Sequence, residues 1–419
     1  MKRFRPALAL TAFLTGTVAA GPLGAADIQP PLPAPDIVAE QTNFASFIRD
    51  FRASAIAAGI SPEVYDRATS GISFNPQIQE LNEKQPEFVR PIWQYLEGVI
   101  TPQRVERGRE LLAQHADLFR RLNAQYGVPP QILAAIWGIE TNYGRQLGSF
   151  NMVEALANLA FAGPRAEYGR RELLAALQMA QQQHIDPAMM SSSWAGAFGQ
   201  TQFIPTTFLK YATKENGNGA IDLWDSPADA LASTANYLQQ SGWQAGEPWG
   251  QEVQLPDDFP YADADLPIKK PVPEWRQMGV RAIPGQHLPS GDQTASILLP
   301  AGHRGPAFMV FSNLHALLTY NSALSYGLAV GLLADQLRGL PRVQASWPVD
   351  EPALDLSSAI ALQQGLSQLG FSTGTADGVF GPKTRDAIRL YQQSRGLPAD
   401  GFATESLVQR VLNEKSITH

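Results

Sequence analysis

The sequence predicts a mainly α-helical protein with a small β subdomain and a separate three-helix domain at its C-terminal end. Apolar residues recur at helical spacing over residues 44–243 and again over 312–337. Between these stretches, prolines and glycines separate short apolar runs at 295–299 and 307–311, a pattern typical of strands in a small sheet. A proline-containing linker at 341–353 then leads into a second helical block.

The N-terminal end has the pattern of a secretory signal peptide. A basic start, MKRFR, is followed by an apolar run over residues 7–20 and by small residues up to Ala26. We expect a signal peptide over 1–26, cut after Ala20 or Ala26, and then a proline-rich, extended lead over 27–42. A membrane anchor is the weaker alternative, because the apolar run is too short to span a bilayer. We therefore expect an exported, soluble protein.

Composition excludes several classes of function. The chain has 419 residues, enough for two or three domains, and its net charge of −7 does not suggest a nucleic-acid partner. It contains no cysteine. This excludes disulfides, thiolate metal sites, a cysteine nucleophile and a lipidated N-terminal cysteine.

Several helices can be placed from their ends and from their apolar faces. Ser61 precedes Pro62 and is expected to cap a helix that begins there. The pattern over 104–126 is that of one amphipathic helix, and the pattern over 312–337 is that of another. We interpret these as core helices, and the domain that they belong to is expected to span 43–340.

One helix carries a carboxylate near its end. Residues 132–144 (ILAAIWGIETNYG) follow two prolines and stop at a glycine, as a helix does. Ile132, Ile136 and Glu140 are spaced by four, so Glu140 is expected on the buried face. Loss of hydration there would raise its pKa, and a protonated carboxyl can act as a general acid. The alternative is a structural Glu140 held by an arginine or by backbone amides.

A loop rich in small and polar residues follows at 191–207. It contains glycines, hydroxyls and two amides, Gln200 and Gln202, among apolar residues. Small residues let a ligand approach the backbone, and amides and hydroxyls bind polyols. The alternative is a tight connection between two helices.

Residues 214–229 resemble a calcium-binding loop. Such a loop requires oxygen ligands at alternating positions, a glycine at the sharp turn and a carboxylate at the end. This pattern is met in part by Asn216, Asn218, Gly219, Asp222 and Asp225. However, Lys214 stands where the first acidic ligand belongs, and a cation there repels a metal ion. We favour a turn with weak or absent calcium affinity, and calcium binding stays open as the alternative.

The C-terminal block at 354–414 reads as three short helices. Leu362, Leu366 and Leu369 lie on one face of the first. Two Asp-Gly turns, at 377–378 and 400–401, separate the helices and form a short internal repeat.

Taken together, these motifs carry a family likeness. Residues 136–144 (IWGIETNYG), 193–205 (SWAGAFGQTQFIP) and 319–322 (TYNS), with the loop at 214–229, resemble the membrane-bound lytic transglycosylase B family over roughly residues 40–338. The C-terminal block, with its LQQGLSQLGF, DGVFG and YQQSRGL segments, resembles the three-helix peptidoglycan-binding domain.

The resemblance implies a lysozyme-like helical fold and cleavage of the β-1,4 bond between N-acetylmuramic acid and N-acetylglucosamine in peptidoglycan. It implies a soluble periplasmic form, since the chain lacks the cysteine of lipid-anchored members. Peptidoglycan strands are the expected partner, cell-wall synthesis proteins are possible further partners, and no cofactor is expected. By the same resemblance Glu140 is the catalytic acid and base, and the residues expected to line the sugar groove are Ser193, Gln202, Tyr237, Asn321, Tyr326 and Arg165.

The reaction that the resemblance implies needs one carboxylate. Ordinary glycosidases use two, but the motif stretches offer no second acid beside Glu140. In a lytic transglycosylase the 6-hydroxyl of the sugar closes on carbon 1 and gives a 1,6-anhydro end. A lysozyme-type muramidase, in which water attacks, and a non-catalytic wall-binding protein are the alternatives.

Overall fold

The computed structural model describes residues 37–83, 90–217 and 219–417. The expected signal peptide at 1–26 lies outside the described residues, as does most of the proline-rich lead. The part of that lead which is described is helical, because the first helix already begins at Ile37.

The described residues form seventeen α-helices and seven strands. In chain order they are α1 (Ile37–Ala57), α2 (Pro62–Thr69), α3 (Pro76–Glu83), α4 (Ile92–Val99), α5 (Pro102–Gln114), α6 (Ala116–Tyr126), α7 (Pro130–Thr141), β1 (Phe150–Asn151), α8 (Met152–Phe161), α9 (Ala166–Gln183), β2 (Ser191–Ser192), α10 (Pro205–Tyr211), α11 (Pro227–Gln240), β3 (Gly250–Gln254), β4 (Lys270–Pro271), α12 (Val272–Gln277), β5 (Arg281–Ala282), β6 (Thr294–Leu298), β7 (Ala307–Val310), α13 (Ser312–Tyr320), α14 (Leu324–Leu337), α15 (Leu356–Gln368), α16 (Pro382–Ser394) and α17 (Glu405–Ile417). The mainly helical fold with a small sheet is therefore confirmed.

The chain divides into two compact units. The first, called here the Glu140 unit, contains described residues 37–83 and 140–237 apart from residue 218. The second, called the sheet unit, contains 90–139 and 238–417. The chain passes from one to the other inside α7 and inside α11.

The Glu140 unit is built on α8 and α9, which pack closely against each other. Asn151 caps α8 by accepting the backbone N–H of Glu154. Ser61 caps α2 in the same way through Val64, so the helix start predicted at Pro62 is confirmed. The apolar faces of α8 and α9 form the core of this unit, and aromatic side chains of α1 pack against α8.

The sheet unit contains an antiparallel sheet with the strand order β4-β6-β7-β3-β5. The two runs predicted as strands, 295–299 and 307–311, form its centre as β6 and β7, with Ile297 opposite Met309. Beneath them lies a buried core that includes Trp275, whose indole N–H donates to the carbonyl oxygen of Ala295 at 2.8 Å.

Two stretches predicted as single helices are each broken. The predicted helix at 104–126 is α5 and α6, separated at His115. The predicted helix at 312–337 is α13 and α14, which are bent by 116°. Among the described residues no single helix is long and apolar enough to cross a membrane, and this bent pair passes that test by length and composition alone.

The C-terminal domain consists of α15, α16 and α17, the three helices expected there. Its core is a cluster of buried apolar side chains: Leu354, Leu362, Leu366, Ala387, Ile388, Tyr391, Leu407, Val408 and Val411. Within the sheet unit, Asp400 of this domain accepts the backbone N–H of His303 at 2.9 Å. The linker before it is also docked, because the buried carboxylate of Glu252 accepts the backbone N–H groups of Gln344 and Ala345.

Candidate active site

Glu140 lies one residue before the end of α7. Its helical neighbours Ile132, Ile136 and Trp137 are all at most 4% exposed, whereas Glu140 itself is half-buried. The preceding turns of α7 are therefore buried, whereas Glu140, expected on the buried face, is buried only in part. A helix fixed by a buried face holds such a carboxyl in a defined position.

The backbone after Glu140 is strained. Asn142 and Tyr143 have φ values of 50° and 60°, in the left-handed region that non-glycine residues seldom adopt. Gly144 follows with φ at 80°, and a Cβ atom at this residue would overlap the side-chain oxygen of Gln200. Backbone of this kind persists only when surrounding contacts over-determine it, and it clusters at functional sites.

Thr141 supplies those contacts. Its side chain is fully buried, and its hydroxyl donates to the carbonyl oxygen of Gln200 at 2.5 Å. The Thr141 hydroxyl oxygen also accepts a hydrogen bond from the backbone N–H of Gly144 at 2.9 Å. The end of α7 that carries Glu140 is thus tied to the loop at 193–203.

Ser193 begins this loop and organises it. Its backbone N–H donates to the carbonyl oxygen of Ala197 at 2.7 Å, and its Oγ accepts the backbone N–H of Ala197 at 3.1 Å. The side chain is mostly buried, at 9% exposure. Because Oγ acts as an acceptor in this turn, its own hydrogen remains to be donated to a ligand.

Gln202 is half-buried and has a φ value of 51°, another left-handed non-glycine residue. Its amide nitrogen donates to the carbonyl oxygen of Gly199 at 3.2 Å. The loop predicted from its small residues is therefore irregular, compact and strained at the residue predicted to bind the substrate.

Gln200 joins the loop at 193–203 to residues 223 and 224. It is 7% exposed, and its side-chain amide donates to the carbonyl oxygen of Trp224 at 2.6 Å. Its backbone N–H donates to the carbonyl oxygen of Leu223 at 2.8 Å. The Trp224 ring stacks on Phe198 at 4.6 Å between centroids. Of the two amides seen in the sequence, Gln200 is the structural one.

Tyr237 stands beside the loop on α11. Its ring stacks on Tyr211 at 4.3 Å and meets the edge of Phe203 at 5.9 Å. Burial, and secondarily the neighbouring Tyr211, raises the pKa of Tyr237 to about 12. Its phenol therefore stays protonated near neutral pH and can donate a hydrogen bond.

Arg165 lies at the start of α9, next to an aromatic residue that sequence reasoning missed. Its guanidinium is 5.2 Å from the ring centroid of Trp194 and donates to the side-chain oxygen of Asn82 at 3.4 Å. Burial lowers the pKa of Arg165, and the nearby Tyr168 opposes the shift. Trp194 stands among serines, alanines and glycine in SSSWAGA, and this contrast is the signal that could have marked it.

Asn321 and Tyr326 belong to the sheet unit. Asn321 is 5% exposed, and its side-chain oxygen accepts the backbone N–H of Ala323 at 3.1 Å, which fixes the corner between α13 and α14. Tyr326 is 1% exposed and lies parallel to Tyr320 at 6.3 Å. The other five predicted residues, Glu140, Arg165, Ser193, Gln202 and Tyr237, share the Glu140 unit.

Two acidic side chains in the described part of the Glu140 unit are buried, and both have structural roles. Glu172 is fully buried and accepts both the backbone N–H and the hydroxyl of Thr206 at 3.0 Å, which fixes the start of α10. Asp229 accepts two backbone N–H groups of the 214–225 loop. Neither carboxylate is available as a nucleophile without breaking these bonds.

Comparison with known proteins assigns the two parts of the chain to two known families. A family model described as "Transglycosylase SLT domain" matches residues 43–335, and one described as "Putative peptidoglycan binding domain" matches 357–411. The membrane-bound lytic murein transglycosylase B of Escherichia coli is 35% identical over 275 residues, which cover 64% of this chain and 73% of that protein.

Solved structures show the same likeness. SltB3 of Pseudomonas aeruginosa, in complex with NAG-anhNAM-pentapeptide, is 48% identical, with a TM-score of 0.85 over 88% of this chain and 99% of that chain. Escherichia coli lytic transglycosylase Slt35, in complex with calcium, is 30% identical, with a TM-score of 0.60 over 72% of this chain and 94% of that chain. The chain therefore belongs to the transglycosylase SLT domain family, with a lysozyme-like catalytic fold and a C-terminal peptidoglycan-binding domain.

Proposed function

We propose that this chain is a peptidoglycan lytic transglycosylase in which Glu140 is the acid and base catalyst. It cleaves the β-1,4 bond between N-acetylmuramic acid and N-acetylglucosamine and leaves a 1,6-anhydro-N-acetylmuramic acid end. The observation that carries the assignment is the half-buried Glu140 at the end of α7, with Thr141 bonded to the loop at 193–203. The relative SltB3 was solved with a ligand that contains an anhydro sugar, which supports the same class of product here.

One carboxyl group serves both proton transfers. Protonated Glu140 gives its proton to the glycosidic oxygen, and the bond from that oxygen to carbon 1 breaks. The resulting carboxylate accepts the proton of the muramic 6-hydroxyl, whose oxygen forms a new bond to carbon 1. No water is consumed, and Glu140 ends protonated, as it began. An internal hydroxyl reacts at a high effective concentration.

The structural hydrogen bonds of two buried acids in the Glu140 unit favour this route over hydrolysis. A hydrolase with two carboxylates needs the second one as a nucleophile or as a base for water. In the described part of the Glu140 unit, Glu172 and Asp229 are both occupied by structural bonds. The muramic N-acetyl group, together with polar neighbours such as Ser193, is left to stabilise the positive charge that develops at carbon 1.

The loop and the residues around it offer the groups that a sugar requires. The Ser193 hydroxyl and the Tyr237 phenol can each donate a hydrogen bond, and Gln202 offers an amide. The indole of Trp194 is an apolar platform for a sugar face, and Arg165 beside it can bind a carboxylate of the peptide stem. Asn321 and Tyr326 act by shaping the α13–α14 corner.

The C-terminal domain binds the wall, and the N-terminal segment directs export. Both proposals rest on the match at 357–411 and on the signal-like sequence at 1–26. The protein then works in the periplasm on peptidoglycan strands, where cell-wall synthesis proteins are its possible partners. The chemistry above requires no cofactor.

The test is Glu140→Gln, with Glu167→Gln as the matched control. Glu167 is an exposed glutamate on α9 of the same unit. Removal of a general acid costs about a thousandfold or more in rate, so Glu140→Gln should release almost no muropeptide while it still sediments with intact sacculi. The Glu167→Gln control should match the wild type in both assays. Near-normal release by Glu140→Gln would remove Glu140 from the mechanism.

A further inference from the structure

The loop before α11 is organised around one buried carboxylate. Asp229, in the first turn of α11, is 2% exposed. One of its oxygens accepts the backbone N–H of Glu215 at 3.1 Å, and the other accepts the backbone N–H of Asp222 at 3.1 Å. Asp229 thus ties both ends of the loop to the helix.

The ammonium group of Lys214 completes this arrangement. Its nitrogen lies 2.9 Å from an Asp229 carboxylate oxygen and 2.7 Å from the carbonyl oxygen of Ala220. The Lys214 side chain is 24% exposed, so most of it is inside the loop. A carboxylate and a carbonyl oxygen are ligands that a hard metal cation would also take.

Asn218, one of the oxygen-bearing residues of the calcium-like pattern, lies outside the described residues, and the residues of the loop that are described do not fit a calcium ion. Calcium takes six to eight oxygen ligands, but Asp222 already accepts the backbone N–H groups of Trp224 and Asp225. The Lys214 ammonium would also repel the ion from the Asp229 carboxylate. Across residues 37–83, 90–217 and 219–417 there is no group of three or more His, Cys, Asp or Glu side chains that could hold a metal. This differs from the relative Slt35, which was solved in complex with calcium.

The same loop supports the candidate active site. The carbonyl oxygens of Leu223 and Trp224 are the acceptors for the backbone and side chain of Gln200. Gln200 in turn accepts the hydroxyl of Thr141, the residue after Glu140. A continuous set of hydrogen bonds therefore runs from Asp229 to the end of α7.

We propose that the Lys214 ammonium is the built-in cation of this loop and takes the place of a metal ion. Through Asp229 and the carbonyl groups at 223 and 224, Lys214 is a positioning residue for Gln200 and for the helix end that carries Glu140. This second part rests on the proposed function of Glu140, whereas the first part stands on the loop alone.

Thermal unfolding of the full chain tests the first part. The variants are Lys214→Met, which removes the charge, Lys214→Asp, which restores an acidic ligand, and the control Lys383→Met at an exposed lysine of α16. Each is melted in EDTA and in excess calcium chloride. The wild type and the control should have the same Tm in both solutions.

Lys214→Met leaves Asp229 buried without its cation, so its Tm should fall by about 5 °C in both solutions. Lys214→Asp should melt lower still in EDTA and should regain at least half of that loss in calcium. A wild-type Tm that rises with calcium or falls in EDTA would show that a metal holds the loop, and would overturn the proposal. A Lys214→Met Tm equal to that of the control would also overturn it, even if Lys214→Asp does not fold.

Turnover at 25 °C tests the positioning role. The maximal rate of muropeptide release by Lys214→Met should fall about tenfold, while the sacculus concentration for half-maximal rate stays within about twofold. Lys214→Arg, which keeps the cation, should recover most of the rate. An unchanged maximal rate in Lys214→Met would limit Lys214 to stability. A wild type that makes no anhydro product would instead refute the proposed function, and the melting result would still stand.

Discussion

The Glu140 unit and the C-terminal domain use their polar groups in different ways. In the described residues, every non-glycine residue with positive φ lies in the Glu140 unit, at Asn142, Tyr143, His184 and Gln202. In the described part of the C-terminal domain, every residue with positive φ is a glycine. The Glu140 unit therefore contains strained backbone that its contacts must stabilise, whereas the described part of the C-terminal domain contains no strained backbone of this kind.

The two Asp-Gly turns of the C-terminal domain show the relaxed case. Gln363 accepts the N–H of Gly378 and donates to Asp377, and Gln392 makes the same two bonds to Gly401 and Asp400. The glycines supply the left-handed conformation without strain. The difference teaches that the hydrogen bonds of Thr141 in the Glu140 unit lie next to strained backbone, while those of the two Asp-Gly turns hold backbone that glycine adopts without strain.

The largest effect should follow from crowding the strained loop. Gly148 has a φ value of 95°, and a Cβ there would overlap the carbonyl group of Ser192, next to Ser193. Gly148→Ala should cost about 4 kcal/mol, from left-handed strain and a backbone clash, and reduce turnover at least tenfold.

The matched control is Gly59→Ala in the same unit, where φ is 88° and nothing lies within 4 Å of the added carbon. It should cost only the strain of about 1–2 kcal/mol and leave turnover unchanged. Urea unfolding and muropeptide release measure both quantities. Equal losses in the two variants would mean that close packing around Ser193 is not what the enzyme needs.

A buried acid outside both regions should give the next largest effect. Burial raises the pKa of Asp335 to about 6, although Arg338 and the Trp249 indole oppose the shift. The native state then binds a proton more tightly than the unfolded chain, so this residue favours folding at low pH and loses that contribution as pH rises from about 4 through 6.

Asp335→Asn removes this titration. Relative to the wild type, its unfolding free energy should gain about 2.4 kcal/mol between pH 4 and pH 8, because the unfolded carboxyl is already partly ionised at pH 4. Urea unfolding across this range is the measurement. A difference between the two proteins that does not change with pH would contradict the raised pKa.

The smallest effect should be the difference in stability between variants of the two Asp-Gly turns. Asp400 is bonded to the backbone and ring nitrogens of His303, whereas Asp377 is exposed. Asp400→Asn should therefore cost about 1–2 kcal/mol near neutral pH, and Asp377→Asn less than about 0.5.

The same pair of variants has a pH signature. Burial alone would raise the pKa of Asp400, but the hydrogen bonds from His303, Phe402 and Gln392 outweigh it and lower the pKa. Its stabilisation is present above the unfolded carboxyl pKa of about 4 and is lost as pH falls below it. Equal unfolding midpoints for the two variants at pH 7 would refute the docking role of Asp400.

Local signals made much of the fold predictable. The serine cap at Ser61, the strands at 295–299 and 307–311, and the Asp-Gly turns all depend on a few adjacent residues. The helical breaks at His115 and Asn321 were not predictable, because apolar spacing continues on both sides of each break. A corner stabilised by tertiary packing leaves no interruption in the pattern.

The candidate site was predictable only in part, for the same reason. Glu140 and the loop at 193–203 stood out by their composition, and Lys214 stood out as the wrong charge in a calcium-like loop. The bond from Thr141 to Gln200 joins residues that are 59 positions apart in sequence. Local spacing carries no information about such pairs.

In the proposed mechanism one carboxyl, that of Glu140, catalyses an intramolecular reaction. The most direct test is mass spectrometry of the soluble products after the purified protein digests peptidoglycan. We predict anhydro-muropeptides, lighter by one water than reducing ones, from the wild type and none from Glu140→Gln. Reducing ends from the wild type would contradict the account, because water would then be the nucleophile.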